Sequence, residues 1–320
     1  MTPCMDNRFI YYVLYVYIIY IYIIYLIIQM YTVNYENFDW KTYIDINPDL
    51  KETNICKKEA AWKHWIDYGS LEERALSLYN NTNVHNGRFG NLFFVNMVLH
   101  FISLKYNLKS TYKYFDKFQK LGVYLYSGKY EYVHSITVTD DNFLHIIQTS
   151  KYSKTNIIIN NDNWFQKPEF VTFLKSYFSI PHNKLNIINN NIFNCRYNSN
   201  NDLFMHIRLG DVKYQTHCIE EYYEKVLSNT EFDTGYISSD SIEDPLCQKL
   251  IHKYKLTVID KSEVETIMFA STCNIIVLSG GTFSWLIGFF AFFSKQIYYP
   301  DVQTPWYGDI FKLLGWTFVP

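Results

Sequence analysis

The sequence predicts an α/β fold built on a parallel sheet. Two observations point to it. Short apolar runs rich in β-branched residues occur at Asn156–Ile159, Leu203–Ile207, 234–238, 256–259 and 275–278. Several of them begin about 20–30 residues apart, with helical patterns between them, which is the mark of βαβ units. Ligands of such sheets bind beyond the carboxyl ends of the strands. The loops that follow these runs are therefore the places to look for chemistry.

Composition sets the outer bounds. The chain has 320 residues, 48% of them hydrophobic and 19% aromatic, so it can bury a sizeable core and is no disordered chain. At roughly 150 residues per domain there is room for about two domains. Gly (12) and Pro (8) are too few for collagen or a low-complexity linker. Lys+Arg 29 against Asp+Glu 31 gives a net charge of -2, which disfavours a dedicated nucleic-acid binder. The six cysteines form no C-x-x-C pair and no Cys–His cluster with zinc spacing.

The elements follow in order. Residues 9–30 carry no charge, no Gly and no Pro. As a helix they reach about 33 Å, enough for a bilayer core of about 30 Å. Seven tyrosines weaken this signal, since Tyr prefers the interface. Arg8 and the amino terminus outweigh Asp6 before the segment, while Glu36, Asp39 and Asp45 outweigh Lys41 after it. The expectation is a single-pass type II membrane protein of the secretory pathway or an equivalent compartment. Its cytosolic tail is 1–8 and its membrane anchor 9–30.

Residues 31–76 read as a small helical spacer. Trp62, Trp65 and Ile66 have i, i+3, i+4 spacing, so one apolar face is expected there. Tyr68-Gly69 fits a helix end, and Pro48 breaks the preceding segment. His64 is expected to pack rather than to bind a metal. Asn80-Asn81-Thr82 is a glycosylation sequon.

The remainder divides into 84–199 and 200–320, and four motifs carry its chemistry. Asn86-Gly87-Arg88-Phe89-Gly90-Asn91 precedes a helical run at 92–106. Its glycines permit a sharp turn, and the helix start offers free N–H groups to an anion. In Phe204-Met205-His206-Ile207-Arg208-Leu209-Gly210-Asp211, His206 and Arg208 lie two apart at a strand end. They suit a phosphorylated ligand, with an ion pair to Asp211 as the plainer alternative. Gly235-Tyr236-Ile237-Ser238-Ser239-Asp240 places a carboxylate after a strand, where it serves recognition or caps the next helix. Leu278-Ser279-Gly280-Gly281-Thr282-Phe283-Ser284-Trp285 precedes an apolar helix expected at 286–293. Backbone N–H groups, two hydroxyls and a helix dipole there make an anion cradle.

In this order the four motifs resemble the α-1,2-fucosyltransferase family. Its pattern runs G-R-(L/F)-G-N-Q, then H-x-R-x-G-D, then S-(S/D)-D, then a block matched here by Glu265, Met268, Cys273, Ile276 and Gly281 to Trp285. The resemblance covers residues 84–320. The helical spacer also resembles a short module often attached to glycosyltransferases, through Trp40, Pro48, Asp49, Leu50, His64, Gly69, Glu72 or Glu73, and Arg74. The chain departs from the family at Leu92, Leu209 and Leu286, where Gln, Arg and Trp are usual.

The resemblance implies a GT-B architecture, two Rossmann-like halves facing across a cleft. It implies transfer of L-fucose from GDP-β-L-fucose to a glycan hydroxyl, with no metal or other cofactor. His206 and Asp240 would recognise guanine, and Arg208 the β-phosphate. Thr282 and Ser284 would bond the diphosphate, while Arg88 and Asn91 line the donor pocket. Arg208 heads the catalytic set; Asp211, named for its place beside Arg208 rather than from the resemblance, is the second candidate, with a structural role as the alternative. The expected partners are a GDP-sugar, a glycan acceptor and the membrane through 9–30, not nucleic acid. A different GDP-sugar, a protein hydroxyl acceptor and an inactive glycan-binding protein are the alternatives.

Overall fold

The computed structural model describes residues 35, 38, 40–47, 49–53, 55–69, 81–82, 85–132, 135–149, 155–210, 220–301 and 310–320. The expected anchor at 9–30 and Asp211 lie outside the described residues. Among the described residues no helix is long and apolar enough to cross a membrane.

A small helical unit comes first. Helices α1 (Trp40–Ile46), α2 (Asp49–Glu52) and α3 (Lys58–His64) lead into a π-helical turn at Trp65–Gly69. Phe38, Tyr43, Ile44, Leu50 and Ala61 form its core, with Trp62 and Trp65 packed on it. Ile66 departs from the expected apolar face and is 52% exposed. The π turn changes the angular step between residues, so the 3.6-residue spacing fails at that point. His64 packs: its Nδ1 lies 2.9 Å from the Tyr43 hydroxyl.

The next half contains β1 (Asn81–Thr82), α4 (Phe89–Tyr106), β2 (Ser110–Thr111), α5 (Phe115–Leu121), β3 (Ser135–Val138), α6 (Phe143–Gln148), β4 (Asn156–Ile159), α7 (Pro168–Ser179) and α8 (Pro181–Asn190). Strand β1 pairs with β2 and β3 with β4, both in parallel. The first strand thus precedes residue 84, and Asn81 of the sequon is fully buried within it. Helix α4 is apolar on all sides, and fifteen of its eighteen residues are buried, as a central helix requires. Its buried polar groups are satisfied. The Asn96 amide donates to the Lys113 carbonyl at 2.9 Å, and the hydroxyls of Ser103 and Ser110 meet at 2.6 Å. His100 Nδ1 accepts from the Tyr126 N–H at 2.9 Å.

The last half holds β5 (Leu203–Ile207), α9 (Glu220–Ser228), β6 (Gly235–Ser239), α10 (Pro245–Tyr254), β7 (Thr257–Val258), α11 (Glu263–Ala270), β8 (Ile275–Val277), α12 (Thr282–Phe289), β9 (Gln296–Tyr299) and β10 (Thr317–Phe318). The six strands form one all-parallel sheet in the order β10-β9-β8-β5-β6-β7. Read from β7, this is the 3-2-1-4-5-6 order of doubly wound nucleotide-binding sheets. Strand β5 is buried on both faces. Leu203, Met205 and Ile207 enter one core cluster and Phe204 the other, which explains its unbroken apolar run.

The two halves share the larger core. Phe94 of α4 packs on Trp285 of α12 with ring centroids 4.9 Å apart, and Phe93 meets Phe290 edge-on at 5.7 Å. Both helices begin earlier than the sequence periodicity indicates. At Gly90 a Cβ would stand 2.5 Å from the Phe283 nitrogen, so only glycine lets the first turn of α4 close onto α12.

Candidate functional site

Strand β5 is the topological switch point of the large sheet. From it the chain runs through β6 to β7 on one side, then crosses back to β8, β9 and β10 on the other. Ligands of such sheets bind beyond the carboxyl ends of the strands at this switch point. His206 is the penultimate residue of β5 and Arg208 follows its end. Ser279, Gly280 and Gly281 follow β8, and Asp240 follows β6.

Asp240 is the hub. Its carboxylate accepts from the Leu209 N–H at 2.9 Å and pairs with Arg208 at 2.9 Å. Arg88, from the other half, stands 3.7 Å from the same carboxylate. Arg208 thus pairs with Asp240, a partner distant in sequence. Asp240 does not cap α10; Asp244 does, accepting from the Leu246 N–H at 3.0 Å.

His206 is 5% exposed, and its Nδ1 lies 3.2 Å from the Ser279 hydroxyl across the switch point. Its ring faces Phe283 with centroids 5.2 Å apart. Burial pushes its pKa down to about 4; Asp240 opposes the shift and Arg208 adds to it. At neutral pH the ring is therefore uncharged and offers one donor and one acceptor.

The loop after β8 is more committed internally than its composition suggests. Ser284 is 1% exposed, and its hydroxyl accepts from the Ser279 N–H at 2.8 Å. The Thr282 hydroxyl donates to the side-chain oxygen of Asn91, which also accepts from Gln166 at 3.2 Å. Both hydroxyls of the expected cradle are thus used to fix the loop and to join the halves. Gly281 stays exposed at the N-cap of α12 with φ +103°, and a Cβ there would meet nothing within 4 Å. A conformation that favours glycine thus presents an open helix start.

The structure brings together Arg88, Asn91, His206, Arg208, Asp240, Thr282 and Ser284 around the starts of α4 and α12. Asp211 lies outside the described residues. The three positions that depart from the family pattern are core residues: Leu92 and Leu286 are fully buried and Leu209 is 3% exposed. Sequence reading missed Gln166, which sits beside Phe165 in a loop with no motif of its own. Phe165 has φ +57°. Ser279 and Phe283 fell inside a motif already singled out. Among the described residues no group of three or more His, Cys, Asp or Glu side chains gathers as for a metal ion. Compared with known proteins, the chain matches no family model, no curated protein and no solved structure.

Proposed function

We propose that the chain is an inverting glycosyltransferase. It moves L-fucose from GDP-β-L-fucose to a glycan hydroxyl, the 2-hydroxyl of galactose in the first instance. The proposal includes a GT-B arrangement, with the 200–320 half as donor half, and a type II anchor at 9–30. One observation carries it. Two helix starts, those of α4 and α12, meet at the switch point of a parallel sheet beside Arg88 and Arg208, with Asp240 as the carboxylate between them. Helix starts carry partial positive charge. Two of them and two guanidinium groups outweigh one carboxylate, so the place suits a polyanion such as a nucleoside diphosphate.

The ligand-free pairing has a mechanistic consequence. Guanine and the β-phosphate lie at opposite ends of GDP, so Arg208 and Asp240 must part for one to hold the phosphate and the other the base. The diphosphate then takes the place of Asp240 on Arg208. Neutral His206 hydrogen-bonds the base beside Asp240. Asn91 and Thr282 hold the two helix starts in register, and the helix start at Gly281 receives the diphosphate.

In the reaction the bond from fucose C1 to the phosphate oxygen breaks, and its electron pair leaves with GDP. The acceptor oxygen bonds C1 from the opposite face, giving an α-linkage, and its proton passes to a base. Asp211 is the carboxylate proposed for that proton. Charge grows on the leaving diphosphate, so Arg208 and the α12 start contribute most where they bind the transition state more tightly than the ground state.

The test is donor turnover by the full chain with GDP-fucose, GDP-mannose and UDP-galactose, followed by linkage analysis of products. Fucose transfer to galactose O2 supports the proposal. Preference for UDP-galactose, or no turnover of any donor, refutes it.

A further inference from the structure

We propose a second ligand site, at the amino ends of strands β9 and β10 of the six-stranded sheet, for a sugar-sized molecule that carries a phosphate or sulfate ester. A cavity of about 420 Å³ lies there, within the roughly 300–1,000 Å³ of small-molecule sites. It is walled by the last turn of α7, the first turn of α8, the segment after α12 and residues 314–317. It reaches the amino ends of β9 and β10. Arg208 follows the carboxyl end of β5, and the strands are all parallel, so the two sites face opposite ways.

The charge of the lining is one-sided. Lys175, Lys184 and Lys295 line the cavity, and no Asp or Glu does, in a chain whose acidic residues outnumber its basic ones. Among the described residues none of the three amines forms an ion pair. Lys175 lies one turn before the end of α7, whose last turn holds no basic residue. The Lys184 amine lies 5.2 Å from the ring centres of both Phe292 and Phe293, which fixes its position. An oxyanion matches this one-sided charge. Ser294 and Thr317 add hydroxyls to the lining, and Trp316 adds an aromatic ring. Hydroxyls beside aromatic carbon suit the mixed faces of a sugar.

The proposal does not depend on the fucosyl-transfer reading, and its test separates the two. Glucose 6-phosphate, glucose 6-sulfate and glucose are titrated into the full chain by calorimetry, with and without GDP. Both esters, or one of them, bind where glucose does not, and GDP leaves that binding in place. Which ester binds identifies the source of the oxyanion. The double variant Lys184→Ala, Lys295→Ala weakens binding about tenfold, and the Lys→Arg pair retains it. Raising the salt also weakens it. Unchanged thermal unfolding shows that the variants keep their fold. Three results overturn the proposal: equal binding of ester and neutral sugar, wild-type affinity in the double alanine variant, and displacement of the ester by GDP.

Discussion

Strand β5 has an arginine–aspartate pair at each end, and the two differ in what surrounds them. At the amino end Arg196 and Asp202 meet at 2.6 Å. The Arg196 guanidinium lies 4.6 Å from the Phe269 ring centre and 5.6 Å from that of Tyr236. Its Nε donates to the Thr272 hydroxyl at 3.1 Å, and the Asp202 side chain is 9% exposed. At the carboxyl end Arg208 and Asp240 meet at 2.9 Å, but Asp240 is 27% exposed and is shared with Arg88. The first pair has its carboxylate enclosed and its guanidinium held by two rings and a hydroxyl, with the Arg196 side chain 26% exposed against 18% for Arg208. The second has its carboxylate open to solvent and shared with Arg88 at the start of α4. An ion pair alone therefore does not separate structure from function. Its position along the strand direction, and what else competes for it, does.

Breaking the two pairs should have different consequences. Arg208→Ala is expected to cut turnover about 100- to 1000-fold, roughly 2.7–4 kcal/mol of transition-state stabilisation, with the unfolding midpoint nearly unchanged. Steady-state kinetics and thermal unfolding on one preparation check both halves of that statement. Arg196→Ala should do the reverse. It strands a buried Asp202 and costs about 3 kcal/mol in urea unfolding, while the donor KM of the surviving folded protein stays as it was.

The histidines sharpen the contrast through pH. Burial holds both His206 and His100 at about 4 in the folded chain, against an ordinary 6.5. The unfolded chain therefore takes up protons first as the pH falls. The stability from these two groups is complete above about pH 6.5. It declines between 6.5 and 4, and they add no further change below 4. Replacing both with Gln should flatten that slope in denaturation curves recorded across the window. If stability is equally steep without them, their burial is not the cause. Arg88→Ala should have the smallest effect. Arg88 is 61% exposed, so its stability change should be below about 1 kcal/mol, and donor affinity should show the loss first.

Some of this was legible in the sequence. Strands β4 and β5 could be bounded to the residue, because Asn156–Ile159 and Leu203–Ile207 are mostly apolar runs, each with a single polar residue, and polar residues lie beyond them. The sequence of β9, Gln-Ile-Tyr-Tyr, mixes polar and aromatic residues, and β10 has two residues, so neither shows a strand pattern. Helices α4 and α12 begin at glycine-containing loops, and the packing of Gly90 on Phe283 that starts them is a tertiary fact. The residues that the structure brings together at the carboxyl end of β5 could be named from their types and order. Their partners were not. Thr282 meets Asn91 across 191 positions, and Ser284 turns inward to Ser279, which no local pattern encodes.

The central claim is that the open pair at the carboxyl end of β5 holds a GDP-sugar. Calorimetric titration of GDP into the full chain, wild type against Arg208→Ala and Arg196→Ala, tests it most directly. The account predicts GDP binding by the wild type, loss of at least about tenfold affinity in Arg208→Ala, and wild-type affinity in folded Arg196→Ala. No GDP binding by the wild type, or equal affinity with and without Arg208, would contradict it.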